Sequence, residues 1–258
     1  MNYYTLIKNN LKSLFTLKQV ILLVFLMFIF IFSSTELIEN ANLKDSIYLI
    51  SILNGSLNFT IQGKFIYILN QFIVISLFGN YLYLFIKYKL QYHIIRIGSV
   101  SRWYISLIIT IFITIIIYYL SLIGISFIYA LFFKNKIFLK VVNQLAQAYY
   151  KGTFINIIAI NILNSVLYVL SNILLVVVIK NNILPYVILL IVQLVGIFLS
   201  IHIVDIAKLL PTAQTLVVTS CNILGIYIYL ITFIFVIIFI LNKYIQNNLF
   251  NIINIKTS

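Results

Sequence analysis

The side chains that most often catalyse reactions or bind metal ions are scarce in this sequence. Its 258 residues include two histidines, one cysteine and four acidic residues. His202 and Asp205 are three positions apart, so one helix face could present both, but two such ligands make no recognisable metal site. Two histidines and one cysteine indicate no Ser-His-Asp or Cys-His set either. We therefore expect no catalytic residue, no metal site and no cofactor.

A nucleotide-binding loop is also missing from the sequence. The P-loop motif G-x-x-x-x-G-K-[ST] cradles phosphates with backbone N–H groups and therefore needs both of its glycines. The one Gly-Lys pair is Gly63-Lys64, and the position of the first glycine holds Asn58. We expect a protein that is not an enzyme. If it moves a substrate uphill, another subunit must supply the energy.

The composition shows what surrounds the chain. Hydrophobic residues make up 64% of it and charged residues 8%, whereas soluble domains are about half apolar and about a quarter charged. Lipid must therefore be the main solvent. The net charge of +13 does not indicate nucleic-acid binding, because the basic residues are scattered between long apolar runs. Heavy use of Ile, Asn and Lys with only 8 Gly and 2 Pro is typical of an AT-rich genome, so we predict a bacterial plasma-membrane protein.

About six segments contain the roughly 20 mostly apolar residues that a membrane-spanning helix needs. They are residues 18–34, 65–86, 104–132, 154–179, 184–204 and 223–241. The first also resembles a signal peptide, but residues 31–34 make a poor cleavage site, so we predict a retained helix. The predicted fold is all-α: residues 1–258 form a single transmembrane domain with additional interfacial amphipathic helices.

Two segments outside the spans have an apolar and a basic face. In residues 1–17, Lys8 and Lys12 lie opposite an apolar side, which predicts an inner interfacial helix. That apolar side consists of Tyr4, Ile7, Leu11 and Leu14. Residues 134–152 repeat the pattern on the outer side, either as a surface-lying loop helix or as a gate that contacts substrate. A modest excess of basic residues on the inner side predicts cytoplasmic N- and C-termini.

Polar side chains recur at helical spacing inside two predicted spans. The fourth span carries Asn161, Asn164, Tyr168 and Asn172, and the third carries Thr110 and Thr114. Amides and hydroxyls in lipid must find partners, so they face other helices or water. Two interpretations stay open: hydrogen bonds between helices, or a polar path for an amphipathic substrate.

The segment between the second and third spans is short and basic, as expected of a loop at the cytosolic headgroups. It also contains a run of the form G-N-x-[IL]-Y … [IL]-I-R-[IL]-G-S-x-x-x-W. The matching residues are Gly79, Asn80, Tyr83, Ile95, Arg96, Gly98, Ser99 and Trp103. This run resembles permease subunits of type-2 ABC exporters, in the branch that accompanies bacteriocin or lantibiotic export and self-immunity in Gram-positive bacteria. Residues 210–214 give a second, weaker match. The chain departs from the pattern at Val100, where relatives usually have a basic residue.

The resemblance implies a mechanism. Residues 87–103 would be a cytoplasmic coupling loop that binds a groove on a separate ATP-binding cassette subunit. The residues that would form the coupling surface are Arg96, Gly98, Ser99, Arg102 and Trp103. The other implied partners are a second permease copy or a paralogue, membrane lipids, and an amphipathic peptide or lipid-like substrate.

Two other functions remain open at this stage. The chain could be a membrane immunity protein that sequesters a toxic peptide without ATP, in which case it would protect cells that lack any partner ATPase. It could also be an enzyme or assembly factor in the membrane, which would need a polar cluster that the sequence does not single out. An ATP-binding cassette gene beside this one would favour the exporter.

Overall fold

The computed structural model describes residues 2–39, 68–76, 78, 100–132, 154–181, 183–203, 210 and 223–247. All regular secondary structure in these ranges is α-helical, which confirms the predicted all-α class. The helices are α1 (Tyr3–Leu14), α2 (Leu17–Glu39), α3 (residues 68–76 and 78), α4 (Val100–Phe132), α5 (Phe154–Ile179), α6 (Leu184–His202) and α7 (Ile223–Asn247).

Three of these helices contain a segment long and apolar enough to cross a membrane. The segments are Ser101–Ile125 in α4, Ile158–Ile179 in α5 and Leu224–Gln246 in α7. A fourth span results if Tyr3–Leu14 and Leu17–Ile29 are taken together, although the chain bends by 64° between them. The chain is therefore a membrane protein with transmembrane helices, and the described helices give three or four spans instead of the predicted six.

The difference in span number has two sources. Of the predicted second span, only residues 68–76 and 78 lie within the described part of the chain. The second source is α6, of which Leu184–Leu199 is the described apolar part. At a rise of 1.5 Å per residue this part covers about 24 Å, whereas the whole helix Leu184–His202 covers about 28 Å, close to the roughly 30 Å of the hydrocarbon core. The predicted outer amphipathic segment, residues 134–152, lies outside the described residues.

Contacts between helix ends fix the direction of the main helices. The Tyr104 hydroxyl near the start of α4 donates to the carbonyl oxygen of Ile238 in the second half of α7 at 2.8 Å. The Tyr227 hydroxyl near the start of α7 donates to the carbonyl oxygen of Asn156 in the first turn of α5 at 3.2 Å. Helix α4 therefore runs antiparallel to α5 and α7. Helix α5 is central, since it packs against α4, α6 and α7.

The end of the bundle where α4 begins is basic, and we call it the cationic end. Arg102 lies in the first turn of α4, Lys180 follows α5, and Lys243 lies near the end of α7. These are the only lysines and arginines among the described residues of α3 to α7. Such an asymmetry follows the positive-inside rule. In the predicted orientation, the cationic end faces the cytosol.

Helix α1 packs against α4 with a face that matches the predicted apolar side only in part. The buried side chains are Leu6, Asn10 and Leu14, whereas Tyr4 is 72% exposed. The Asn10 amide nitrogen lies 3.4 Å from the Thr110 hydroxyl oxygen, so a polar contact turns this face toward α4. The predicted apolar side did not include Asn10, because hydropathy assigns asparagine to the solvent-facing side of a helix.

The turn between α5 and α6 is held by side-chain capping. Lys180 has a left-handed backbone with φ of 58°, a conformation that often ends helices. The Oδ1 atom of Asn181 accepts hydrogen bonds from the backbone N–H groups of Ile183 at 2.8 Å and Leu184 at 3.2 Å. Pro185 then occupies the first turn of α6, where its missing N–H has no helical partner to lose.

Replacing Asn181 with alanine is expected to lower the free energy of unfolding by about 1 kcal/mol, because two N–H groups at the start of α6 lose their acceptor. Unfolding by sodium dodecyl sulfate in mixed micelles measures the change. Asn242→Ala is the matched control, because its Oδ1 accepts only one exposed bond from Gln246 within α7. Equal losses in the two variants would contradict a capping role for Asn181.

Candidate functional site

A closed ring of hydrogen bonds joins α3, α4 and α5 in the protein interior. The Ser165 hydroxyl donates to Gln71 Oε1 at 2.7 Å, and Gln71 Nε2 lies 3.3 Å from the Tyr119 hydroxyl, to which it donates. The Tyr119 and Ser165 hydroxyl oxygens are 2.8 Å apart. Because the single hydroxyl hydrogen of Ser165 points to Gln71, Tyr119 is the donor to Ser165. We call Gln71, Tyr119 and Ser165 the hydrogen-bonded ring; all three are fully buried.

A second contact between α3 and α4 lies beside the ring. The Tyr118 hydroxyl donates to Asn70 Oδ1, and both residues are buried. The rings of Tyr118 and Tyr119 meet edge to face, with centroids 5.4 Å apart. Consecutive tyrosines of α4 therefore bind consecutive amides of α3. These bonds satisfy polar groups that would otherwise be unpaired in a water-poor interior.

The six residues of the predicted substrate path all face the protein interior. Their side chains are at most 2% exposed. We call them the polar seam: Thr110, Thr114, Asn161, Asn164, Tyr168 and Asn172. Some of the seam does hold helices together, as the first interpretation proposed. The Asn10 amide of α1 donates to the Thr110 hydroxyl of α4 at 3.4 Å, whereas the Thr110 hydroxyl itself donates to the Ser106 carbonyl oxygen within α4 at 2.7 Å.

Four residues of the polar seam, Thr110, Thr114, Tyr168 and Asn172, extend from the hydrogen-bonded ring toward the cationic end, whereas Asn161 and Asn164 precede Ser165 on α5. Along α4, Thr110 is nine residues from Tyr119, which corresponds to about 13.5 Å. Along the antiparallel α5, Asn172 is seven residues from Ser165, or about 10.5 Å, in the same direction. The interior between these helices is therefore lined by hydroxyls and amides over several turns. This lining can form hydrogen bonds but carries no formal charge.

Several buried polar residues were not among the predicted site residues, and Tyr119 and Gln193 are two of them. The predicted stripe of Thr110 and Thr114 continues at position 118, and Tyr119 is turned about 100° from that position, so the stripe excluded it. Gln193 is 3% exposed and is the one amide side chain in α6. A lone amide in an apolar helix is a recognisable signal, because such a residue must find a partner in lipid.

The predicted coupling residues are only partly described. Arg96, Gly98 and Ser99 lie outside the described residues. Arg102 is exposed at the cationic end, whereas Trp103 is 3% exposed and belongs to the hydrophobic core. Residues 100–103, which the sequence analysis assigned to the loop, form the first turn of α4. The indole of Trp103 therefore anchors the end of the loop and is not part of an exposed surface.

The described residues contain no group of three or more His, Cys, Asp or Glu side chains that could hold a metal ion. His202 is exposed and its ring lies against Phe198, with centroids 4.6 Å apart. Asp205, its possible partner in the sequence analysis, lies outside the described part of the chain.

No protein-family model, curated protein or solved structure matches this chain. The functional argument therefore depends on the polar interior, the charge distribution and the loop pattern.

Proposed function

We propose that this chain is the membrane-spanning permease subunit of a type-2 ABC exporter and that a separate subunit hydrolyses ATP. The observation that carries the proposal is the chemistry of the described spans. In the three spans of α4, α5 and α7, the only lysine or arginine residues are Arg102 and Lys243, both near the cationic end, and these three spans contain no acidic residue. Carriers and pumps driven by ion gradients usually place ionisable groups at membrane depth. These spans offer uncharged polar groups instead, which suits transport powered by a partner.

The contacts of α4 support a route for coupling. Trp103 fixes the loop end of α4 in the core, and Tyr119 ties the same helix to α3 and α5 through the hydrogen-bonded ring. A displacement of the preceding loop would therefore move three helices together. Such a displacement requires that the loop bind the two states of the ATPase with different affinity.

The proposal includes the partners that the loop pattern implies. A second permease copy or a paralogue completes the transporter in the plasma membrane of a Gram-positive bacterium, with both termini of this chain in the cytoplasm. The substrate is an amphipathic peptide or lipid-like molecule, and the physiological role is bacteriocin export or self-immunity.

Co-purification tests the proposal. The tagged chain is expressed in its native host, and the complex that it forms is isolated in mild detergent. We expect both subunits in the preparation, together with ATP hydrolysis that vanadate inhibits. The control carries a substitution of the P-loop lysine in the ATPase and should lose hydrolysis while the complex remains.

One outcome would favour the immunity function, one of the two alternatives that the sequence left open. Cells that contain this chain but no partner ATPase would survive a toxic peptide, and no ATPase would co-purify. That combination would contradict the exporter and support an immunity protein that binds the peptide without ATP.

A further inference from the structure

Two carboxamide side chains in the α5–α6 hairpin are buried without hydrogen bonds. Asn172 is fully buried, and Gln193 is 3% exposed. Within the described part of the chain, the side-chain amide nitrogen and oxygen of Asn172 have no hydrogen-bond partner, and the same is true of Gln193. Buried polar side chains are nearly always paired, and an unpaired amide is especially costly in a lipid-embedded interior. Two such residues on adjacent helices therefore need an explanation.

The hairpin places the two amides at a similar depth. Asn172 is seven residues before the end of α5 at Ile179, which corresponds to about 10.5 Å. Gln193 is nine residues after the start of α6 at Leu184, or about 13.5 Å. Because α5 and α6 are antiparallel neighbours joined by a short turn, the two side chains differ by only about two residues in depth.

The packing of α6 shows where Gln193 lies. It shares a buried stripe with Leu189 and Ile197, at positions i, i+4 and i+8. Leu189 belongs to the main hydrophobic core, whereas Ile197 packs with Ile68 of α3. Gln193 is therefore directed into the bundle, between the main core and the contact with α3, and not toward lipid.

We propose that Asn172 and Gln193 form a binding site for main-chain amide groups of an uncharged, apolar peptide. Each carboxamide has two N–H donors and one oxygen acceptor, so a ligand must offer both acceptors and donors. Peptide groups offer both, whereas the ester groups of lipids only accept and would leave the two amide oxygens unpaired. The described spans contain no charge at this depth to compensate a charged ligand. Under the proposed function, this ligand is the uncharged, apolar segment of the transported amphipathic peptide.

The test uses the full-length chain, purified in detergent without any ATPase. The probe is the blocked tripeptide N-acetyl-Leu-Leu-Leu-amide, and the readout is the thermal unfolding midpoint at increasing probe concentration. The near-isosteric variants Asn172→Leu and Gln193→Met remove the unpaired polar atoms. We expect the empty variants to unfold about 2 °C above the wild type, because the buried amides are gone. The probe should stabilise the wild type and bind each variant at least tenfold more weakly.

Opposite effects on the empty and the ligand-bound protein distinguish a binding site from a structural role. If the empty variants unfold below the wild type, the amides are paired within the chain and the proposal is wrong. Ser106→Ala is the matched control, because its buried hydroxyl already donates to the Trp103 carbonyl oxygen at 2.6 Å. Its removal should give no gain in the unfolding midpoint and no loss of probe affinity.

Further probes address the chemistry of the ligand. A permethylated form of the peptide, in which the main-chain nitrogens and the C-terminal amide carry methyl groups and no N–H donor remains, should bind more weakly than the parent. Stabilisation by dioleoylglycerol but not by the peptide would overturn the proposal in favour of a neutral lipid, and a wild type that the peptide does not stabilise would overturn it outright. These binding experiments contain no ATPase, so their results do not depend on co-purification. The binding site and the exporter function are therefore tested separately.

Discussion

Tyr119→Ala is expected to lower the free energy of unfolding by about 3 kcal/mol, the largest stability loss that we predict for this chain. Most of the loss comes from packing, since Tyr119 is fully buried where α3, α4 and α5 meet. Deleting its phenol leaves a cavity of roughly 100 Å³, which costs about 2.5 kcal/mol at about 24 cal/mol per Å³. Opening the hydrogen-bonded ring adds about 0.6 kcal/mol, the average for polar bonds between membrane helices.

Tyr119→Phe separates the two contributions. It keeps the aromatic packing and removes the hydroxyl, so a loss of about 1 kcal/mol or less is expected. Titration with sodium dodecyl sulfate in mixed micelles measures both variants. Tyr4→Ala is the control, because that tyrosine is 72% exposed and its replacement should change stability by less than about 0.5 kcal/mol. A Tyr119→Phe variant as unstable as Tyr119→Ala would show that the hydroxyl matters more than packing.

The membrane class was predictable because it depends on composition alone. A chain with 64% hydrophobic residues cannot cover itself with polar side chains, and α4, α5 and α7 fall where long apolar runs predicted them. Span number was less predictable. An apolar run shows that the segment can lie in lipid but does not show where the chain bends, as it does by 64° between Tyr3–Leu14 and Leu17–Ile29.

The partners of buried polar groups could not be predicted from one sequence. The helical stripe correctly placed Tyr168 and Asn172 in the interior, since spacing alone decides which residues share a face. Which helix lies opposite that face depends on rotation and tilt, which hydropathy does not encode. Tyr119 in the ring and Asn10 at the contact with Thr110 were missed for this reason.

The pattern of the polar contacts suggests a division of roles along α4. Near its centre, Tyr119 forms hydrogen bonds with neighbouring helices and stabilises the bundle. At its cationic end, Trp103 is fixed in the core while Arg102 is exposed. Because α4 is anchored at both places, a movement of the loop would shift the helix as a rigid body. The loop residue with the greatest expected effect is therefore one that contacts the partner directly.

Arg96→Glu is expected to abolish ATP-driven export, the largest functional effect that we predict. In the proposed exporter, Arg96 lies in the coupling loop and contacts the ATPase groove. Truncating a buried, hydrogen-bonded charge at an interface typically costs about 2–5 kcal/mol, and reversing its charge adds repulsion. Since about 1.4 kcal/mol is a factor of ten, the affinity of the two subunits should fall by more than tenfold. Substrate efflux from reconstituted vesicles and co-purification of the ATPase measure the two effects.

Lys89→Glu makes the same charge change in the same predicted loop, outside the residues that match the exporter pattern. If Arg96 makes a specific contact, Lys89→Glu should retain most of the export. The ATPase purified without this chain should hydrolyse ATP at its usual rate, because neither substitution changes that subunit. Equal loss in both variants would instead indicate a general need for positive charge near the headgroups. Undiminished export with Arg96→Glu would show that this loop contact is not needed to couple ATP hydrolysis to export. The exporter proposal would then lack a route from ATP to the polar seam.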